Sequence, residues 1–243
     1  MIDIDVVRSD FPVLHKKVYG RPLVYLDNGA TTQKPLCVLD EVRKVYTDYN
    51  GNVHRGVHAM SDLTSEAYEG AREKVRSFIN AARREEVVFT SGTTGSINAI
   101  AYSFGERYIQ PGDEIIVSEM EHHANIVPWQ MLREETGAVL RVIPVDDSGQ
   151  ILLDEYEKLL NKNTKLVSVT HVSNALGTIA PVREMIRLAH IYGAKVFVDG
   201  AQAVSHLGMD VTELDCDFYV FSGHKIYGPK GHCVCCFWKP GYH

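Results

Sequence analysis

Residues 195–231 read KVFVDGAQAVSHLGMDVTELDCDFYVFSGHKIYGPKG, and the rest of the chain is organised around them. A short apolar strand ends at Asp199, a helical or looping connection follows, and a second strand ends at Ser222-Gly223-His224-Lys225. In a sheet built of strand–helix units, side chains just past the carboxyl ends of strands share one crevice. That geometry brings Asp199 and Lys225 together across 26 positions (225 − 199) of sequence. A carboxylate and an amine in one crevice suit a cofactor whose ring nitrogen takes a charged partner and whose carbonyl condenses with a lysine.

Working upstream, the pattern repeats. EVVFT (86–90), EIIVS (114–118), VLRVIPV (139–145) and KLVSVTH (165–171) read as strands. Between them lie helical stretches at 91–108, 124–136, 152–160 and 182–193, with Pro128 expected to interrupt the second of these early. Short strands alternating with helices of ten or so residues argue for an α/β domain, its mostly parallel sheet sandwiched by helices. Before this repeat the chain is less regular. A short helix from Asp5 that ends near Phe11-Pro12, a polar turn, a strand at Leu23-Val24-Tyr25-Leu26 and a polar loop at 27–32 are expected. Val38, Val42, Val45, Tyr46 and Tyr49 recur at helical spacing, and a second helix at 61–79 is expected to cover the sheet. Residues 1–30 read as an arm packed outside the domain or reaching a partner subunit, and 31–243 as the domain itself.

Composition narrows the function classes. At 243 residues the chain is long enough for a full core, and 45% hydrophobic with 23% charged residues is ordinary for a globular protein. A formal net charge of -6 with scattered Lys and Arg gives no reason to expect nucleic acid or an acidic membrane as partner. No run approaches the apolar length of a membrane span, and the polar start IDIDVVRSD does not read as a signal peptide. Five cysteines without a disulfide framework point to a reducing, cytoplasmic setting. Cys233, Cys235 and Cys236 lack a second ligand half and sit where a strand continues, so no metal site is expected.

The strand–helix junctions carry the remaining chemistry. Ser91-Gly92-Thr93-Thr94-Gly95 offers free N–H groups and two hydroxyls for a phosphate, or a simple capping turn. In Glu121-His122-His123 one imidazole can stack on a flat ring or carry protons, or the loop is merely polar and exposed. Asn174 can donate to a ligand oxygen or close an Asx turn. Gln202, three residues after Asp199, can reach the same ligand as the aspartate. Ser222 and His224 flank Lys225 with groups that hold phosphate oxygens.

The segments YLDNGATTQKP, NVHRGVHAMS, VVFTSGTTGSINAIA, SEMEHHANIVPWQ, THVSNALGTIAPV, VDGAQAVSH and FSGHKIYGPKG together resemble the pyridoxal-phosphate cysteine desulfurases. That is a branch of the class V aminotransferase group which mobilises sulfur for iron–sulfur cluster assembly. The resemblance implies the large domain of the PLP-dependent transferase fold. It makes Lys225 the Schiff-base lysine, Asp199 the partner of the pyridine nitrogen, and His122 the ring that stacks and exchanges substrate protons. Gln202 would face the phenolic oxygen with Asn174 nearby, while Thr93, Thr94, Ser222 and His224 would hold the phosphate. His54 and Arg55 would lie near the site entrance. L-Cysteine, or L-selenocysteine, is the implied substrate, with a homodimer and a sulfur acceptor protein as implied partners. The sequence departs from the family pattern after GPKG, where HCVCCFWKPGYH replaces a glycine-rich apolar strand. The family's downstream nucleophilic cysteine and carboxylate-binding arginine have no counterpart in it, so the small C-terminal domain is read as missing. Selenocysteine lyase, another class V enzyme, and a catalytically incomplete PLP-binding fragment are the alternative readings.

Overall fold

The structure, a computed structural model, describes residues 2–229 and 234–239. The N-terminal segment holds helix α1 (Ile4–Ser9) and a small hairpin of β1 (Lys17–Val18) and β2 (Arg21–Pro22). Next come α2 (Leu36–Asp48), α3 (Ala59–Phe78), β3 (Val87–Phe89), α4 (Thr93–Tyr108), β4 (Glu114–Ser118), α5 (Val127–Thr136) and β5 (Val139–Ile143). The chain continues through α6 (Leu153–Leu159), β6 (Thr164–Thr170), α7 (Val182–Ile191), β7 (Lys195–Asp199), α8 (Val211–Leu214), β8 (Phe218–Ser222) and β9 (Val234–Trp238).

Seven strands form one sheet in the order β3-β9-β8-β7-β6-β4-β5. The pairs from β8 to β5 are parallel, whereas β9 runs antiparallel between β3 and β8. The sheet is therefore mixed but mostly parallel, the architecture expected from the alternating strands and helices.

Side chains alternate across a strand, and here both faces are buried. Ile115, Val117, Leu166, Phe197, Phe218 and Val220 pack with Ile97, Ile100, Phe104, Trp129 and Leu132 of α4 and α5. Their neighbours Ile116, Val167, Val196, Val198, Tyr219 and Phe221 pack with Tyr156 of α6 and Met185, Ile186 and Ala189 of α7. Following the same alternation to the strand ends, Thr170, Asp199 and Ser222 emerge on the α4/α5 face. His171 emerges on the other. The parity of the strands thus decides which polar residues meet.

Three details differ from the sequence reading. Leu23-Val24-Tyr25-Leu26 is not a strand: the only N-terminal pairing among the described residues is the short hairpin before it. Val24 and Leu26 are largely exposed, so their alternation with Leu23 and Tyr25 has no neighbouring strand to satisfy. Pro128 does not interrupt α5 but sits in its first turn, where a missing N–H costs no hydrogen bond. Helix α3 covers little of the sheet. Ser61 is its one buried residue, and only its end reaches the core, through Val75 and the following Ile79. The strand expected around Cys235 and Cys236 forms, with their backbones paired to Phe89 and Val88, while Cys233 lies outside the described residues.

Gly200, directly after Asp199, shows how tightly the site end of the sheet is packed. A Cβ there would stand 2.2 Å from the Tyr219 ring and hydroxyl. Gly200→Ala should therefore lower stability by about 1–3 kcal/mol through forced repacking. Gly70→Ala, on exposed α3 with no neighbour within 4 Å, should raise it by about 0.5–1 kcal/mol. Urea midpoints of the two variants read both signs.

Candidate functional site

Pairing of β7 with β8 sets Asp199 opposite Val220, so the aspartate and the turn after Ser222 leave the sheet side by side. A short 3-10 turn, Gly223–Lys225, then carries the lysine. Both side chains line one cavity of about 590 Å³ at the carboxyl edge of the sheet. Thr93, Thr94, His122, Asn174, Gln202, Ser222 and His224 line the same cavity. The structure therefore brings together these nine residues from five strand–helix junctions.

The electrostatics centre on Asp199, which is only 4% exposed. Its Oδ1 accepts the Ala201 N–H at 2.9 Å, and among the described residues its Oδ2 accepts no hydrogen bond. Burial raises its pKa, opposed by that N–H and by the charges of Lys225 and His122. Burial likewise lowers the pKa of Lys225, with Asp199 pulling the other way. Lys225 itself has no hydrogen-bond or ion-pair partner among the described residues. A cationic ring nitrogen delivered to the cavity would offset the desolvation of Asp199.

Thr93 of the cavity lining opens α4, with Gly92 as its cap at φ +130°, a conformation that favours glycine. The Thr93 N–H donates to the Ser222 hydroxyl at 3.2 Å, and the two hydroxyls lie 2.6 Å apart. This joins the helix start to the end of β8. Helix N-terminal N–H groups and hydroxyls in such a cluster suit a phosphate.

Of the two adjacent histidines, only His122 lines the cavity. Its Nδ1 accepts the Ala124 N–H at 3.1 Å, which puts the proton of the neutral ring on Nε2. Asn174 does not close the turn after β6. The Ser173 hydroxyl does, accepting from the N–H groups of Ala175 and Leu176. His54 bonds Glu69 at 3.0 Å, and neither it nor Arg55 lines the cavity. Among the described residues no group of three His, Cys, Asp or Glu could hold a metal ion.

Two features escaped the sequence reading. Residues Leu26, Asp27, Gly29 and Ala30 of the N-terminal segment also line the cavity. Beneath His122, the buried Glu121 carboxylate accepts the Ser118 hydroxyl at 2.5 Å, the Asn125 amide at 2.6 Å and the Thr170 N–H at 2.9 Å. Asn125 in turn accepts from the Trp129 indole and the Ser168 hydroxyl. The only sequence signal for this network was a carboxylate beside a histidine after a strand.

Residues 24–239 match the family model described as Aminotransferase class-V. This chain belongs to the class-V aminotransferases. A cysteine desulfurase of Synechococcus elongatus is 60% identical over 229 residues, covering 94% of this class-V chain and 37% of that protein. A cysteine desulfurase of Dickeya dadantii is 54% identical over 228 residues, covering 94% of the chain and 55% of that protein. The apo structure of the cysteine desulfurase from Thermococcus onnurineus NA1 superposes with a TM-score of 0.90 at 38% identity, over 99% of this chain and 58% of that one. The chain thus spans between 37% and 58% of the length of these relatives. No described helix is long and apolar enough to cross a membrane.

Glu121 should make the stability of the class-V domain pH-dependent. Burial pushes its pKa up to about 7, against three hydrogen-bond donors and with a smaller upward push from Asp199. Its protonated form is favoured by folding, so the stabilisation is full below the ordinary carboxylate pKa and is lost as pH rises through about 7. The urea midpoint of the cofactor-free protein should fall between about pH 5 and pH 8. Glu121→Gln should flatten that fall while costing about 1–3 kcal/mol, because an amide N–H then meets the donors of Asn125 or Thr170.

Proposed function

We propose that this chain binds pyridoxal 5'-phosphate in the Asp199–Lys225 cavity and works on L-cysteine. The sulfur passes to a thiol as a persulfide and L-alanine is left: R–SH plus cysteine gives R–S–SH plus alanine. The observation that carries the reading is the placement, at the ends of adjacent parallel strands and in one cavity, of a buried carboxylate with one side-chain hydrogen bond and a lysine with no hydrogen-bond or ion-pair partner among the described residues. The names of the relatives supply the substrate.

The donor set fits the cofactor. Asp199 Oδ2 would take the ring nitrogen, and the α4 start with Thr94, Ser222 and His224 would take the phosphate. When bound, the cofactor supplies an aldehyde for amine condensation and a ring that withdraws electrons from the substrate carbon. Because burial lowers its pKa, Lys225 has a larger unprotonated share at neutral pH than an exposed lysine. That is the form which attacks a carbonyl and accepts a proton. His122, with its proton on Nε2, can hold or pass a proton at the cavity. Gln202 keeps one amide N–H for the cofactor's phenolic oxygen, since the other is used by the Gly29 carbonyl at 2.8 Å. Asn174 would add a further donor.

No cysteine or arginine lines the cavity among the described residues. In this reading the thiol that takes the sulfur, and the cation that holds the substrate carboxylate, come from outside these residues. A homodimer, a sulfur acceptor protein and a role in iron–sulfur cluster assembly belong to the same proposal.

Incubation with the cofactor should give one bound equivalent and a visible absorption band, and Lys225→Ala should lack the band. A colourless wild-type protein would sink the reading. With L-cysteine and dithiothreitol present, alanine and sulfide should appear in equal amounts. Pyruvate or glutamate in their place would mark an aminotransferase, and a stable band without turnover would leave a cofactor-holding fragment.

A further inference from the structure

The carbonyl immediately before Lys225 is gripped by the N-terminal segment. His224 O accepts from the Thr32 N–H at 3.0 Å, the Thr32 hydroxyl at 3.0 Å, the Thr31 hydroxyl at 3.2 Å and the Lys34 ammonium at 2.9 Å. A carbonyl has two lone pairs, so four donors within reach over-determine where this oxygen sits. On the far side of the lysine, the Tyr227 N–H donates to the Thr32 hydroxyl oxygen at 2.9 Å. Thr32 therefore brackets Lys225 from both sides, and it is itself buried.

The turn needs such a restraint. Tyr227 has φ +71°, a left-handed conformation that a bulky side chain seldom adopts without support from its surroundings. The same segment also reaches the other half of the site, because Gly29 O accepts the Gln202 amide from the loop after Asp199. Lys34 adds a second bond within the segment, donating to Thr32 O at 2.6 Å.

We propose that residues 27–34 form a strap across the crevice, and that Thr32 and Lys34 are positioning residues that hold the Lys225 turn against the Asp199 loop. The inference deepens the cofactor reading given above, since it matters for function only if Lys225 is the reacting amine. Neither Thr32 nor Lys34 needs to touch a cofactor for the strap to act. Each works through the peptide group that sets the Cα of Lys225. Removing either should let the turn relax and water enter around the amine, so that Lys225 titrates closer to an ordinary lysine.

The test uses the whole chain without cofactor first. In Thr32→Val and Lys34→Met, amide hydrogen exchange at Tyr227 should quicken at least about tenfold, as expected when a local opening is released. The pH midpoint for trinitrobenzenesulfonate labelling of Lys225, followed by peptide mass spectrometry, should move up. Thr32→Ser and Lys34→Arg should restore both readouts, and Lys158→Met, at an exposed position of α6, should change neither. Added pyridoxal phosphate should then bind about tenfold more weakly to the two disruptive variants. Wild-type exchange at Tyr227 together with an unchanged Lys225 midpoint in Lys34→Met would overturn the strap, and that variant decides alone if Thr32→Val does not fold. Wild-type protein that takes up no cofactor would instead overturn the reading of the site, with the exchange and labelling arms still deciding the strap.

Discussion

The structure depends on a carboxylate that the fold buries at the edge of a cavity. Asp199 ends β7 at 4% exposure, its side chain accepting one hydrogen bond among the described residues, from its own loop. Burying a carboxyl in that state is costly unless something cationic or strongly donating completes it. The parallel register of β7 on β8 delivers Lys225 to the same cavity, but burial weakens the charge of the lysine as well. Each group is thus displaced from its ordinary ionisation, and each is displaced in the direction that a bound, ring-bearing phosphate ester would exploit. This is the pattern by which perturbed groups mark functional sites.

Around this pair the fold invests in rigidity. Two packed layers fix the strands, Gly200 is pressed against Tyr219, and the Glu121–Asn125–Trp129 network ties the loop below His122 to the end of β6. On the outer side the N-terminal segment bonds to both active loops. A buried polar network of this kind stabilises only while every member is partnered. The placement of His122, Asp199 and Lys225 therefore rests in part on residues that do not line the cavity.

Much of this was legible in the sequence, for a physical reason. Strands buried on both faces read as short apolar runs, and helices between them force parallel pairing, so the residue after each strand falls on one edge. Asp199, Ser222 and Lys225 could be placed by that rule; it left Thr93 and Asn174 with turn-forming alternatives, and only the family resemblance chose His122 over His123. The grip of Thr31, Thr32 and Lys34 on His224 could not, because these bonds join residues about 190 positions apart and leave no periodic trace. The apolar run at 23–26 misled for a related reason. Alternation signals a strand only when a neighbouring strand exists to pair with it, and the exposed Val24 and Leu26 have none. Nor did the sequence distinguish Ser173 from Asn174 as the residue that closes the turn after β6, since both side chains can accept the same backbone N–H groups.

The central claim is that Asp199 waits for a cationic ring nitrogen. It is tested most directly by nitrogen NMR of the protein loaded with cofactor labelled at the pyridine nitrogen. The ring nitrogen should carry the shift of a protonated pyridinium in the wild-type chain and that of a neutral pyridine in Asp199→Ala. The same shift in both proteins would contradict the account.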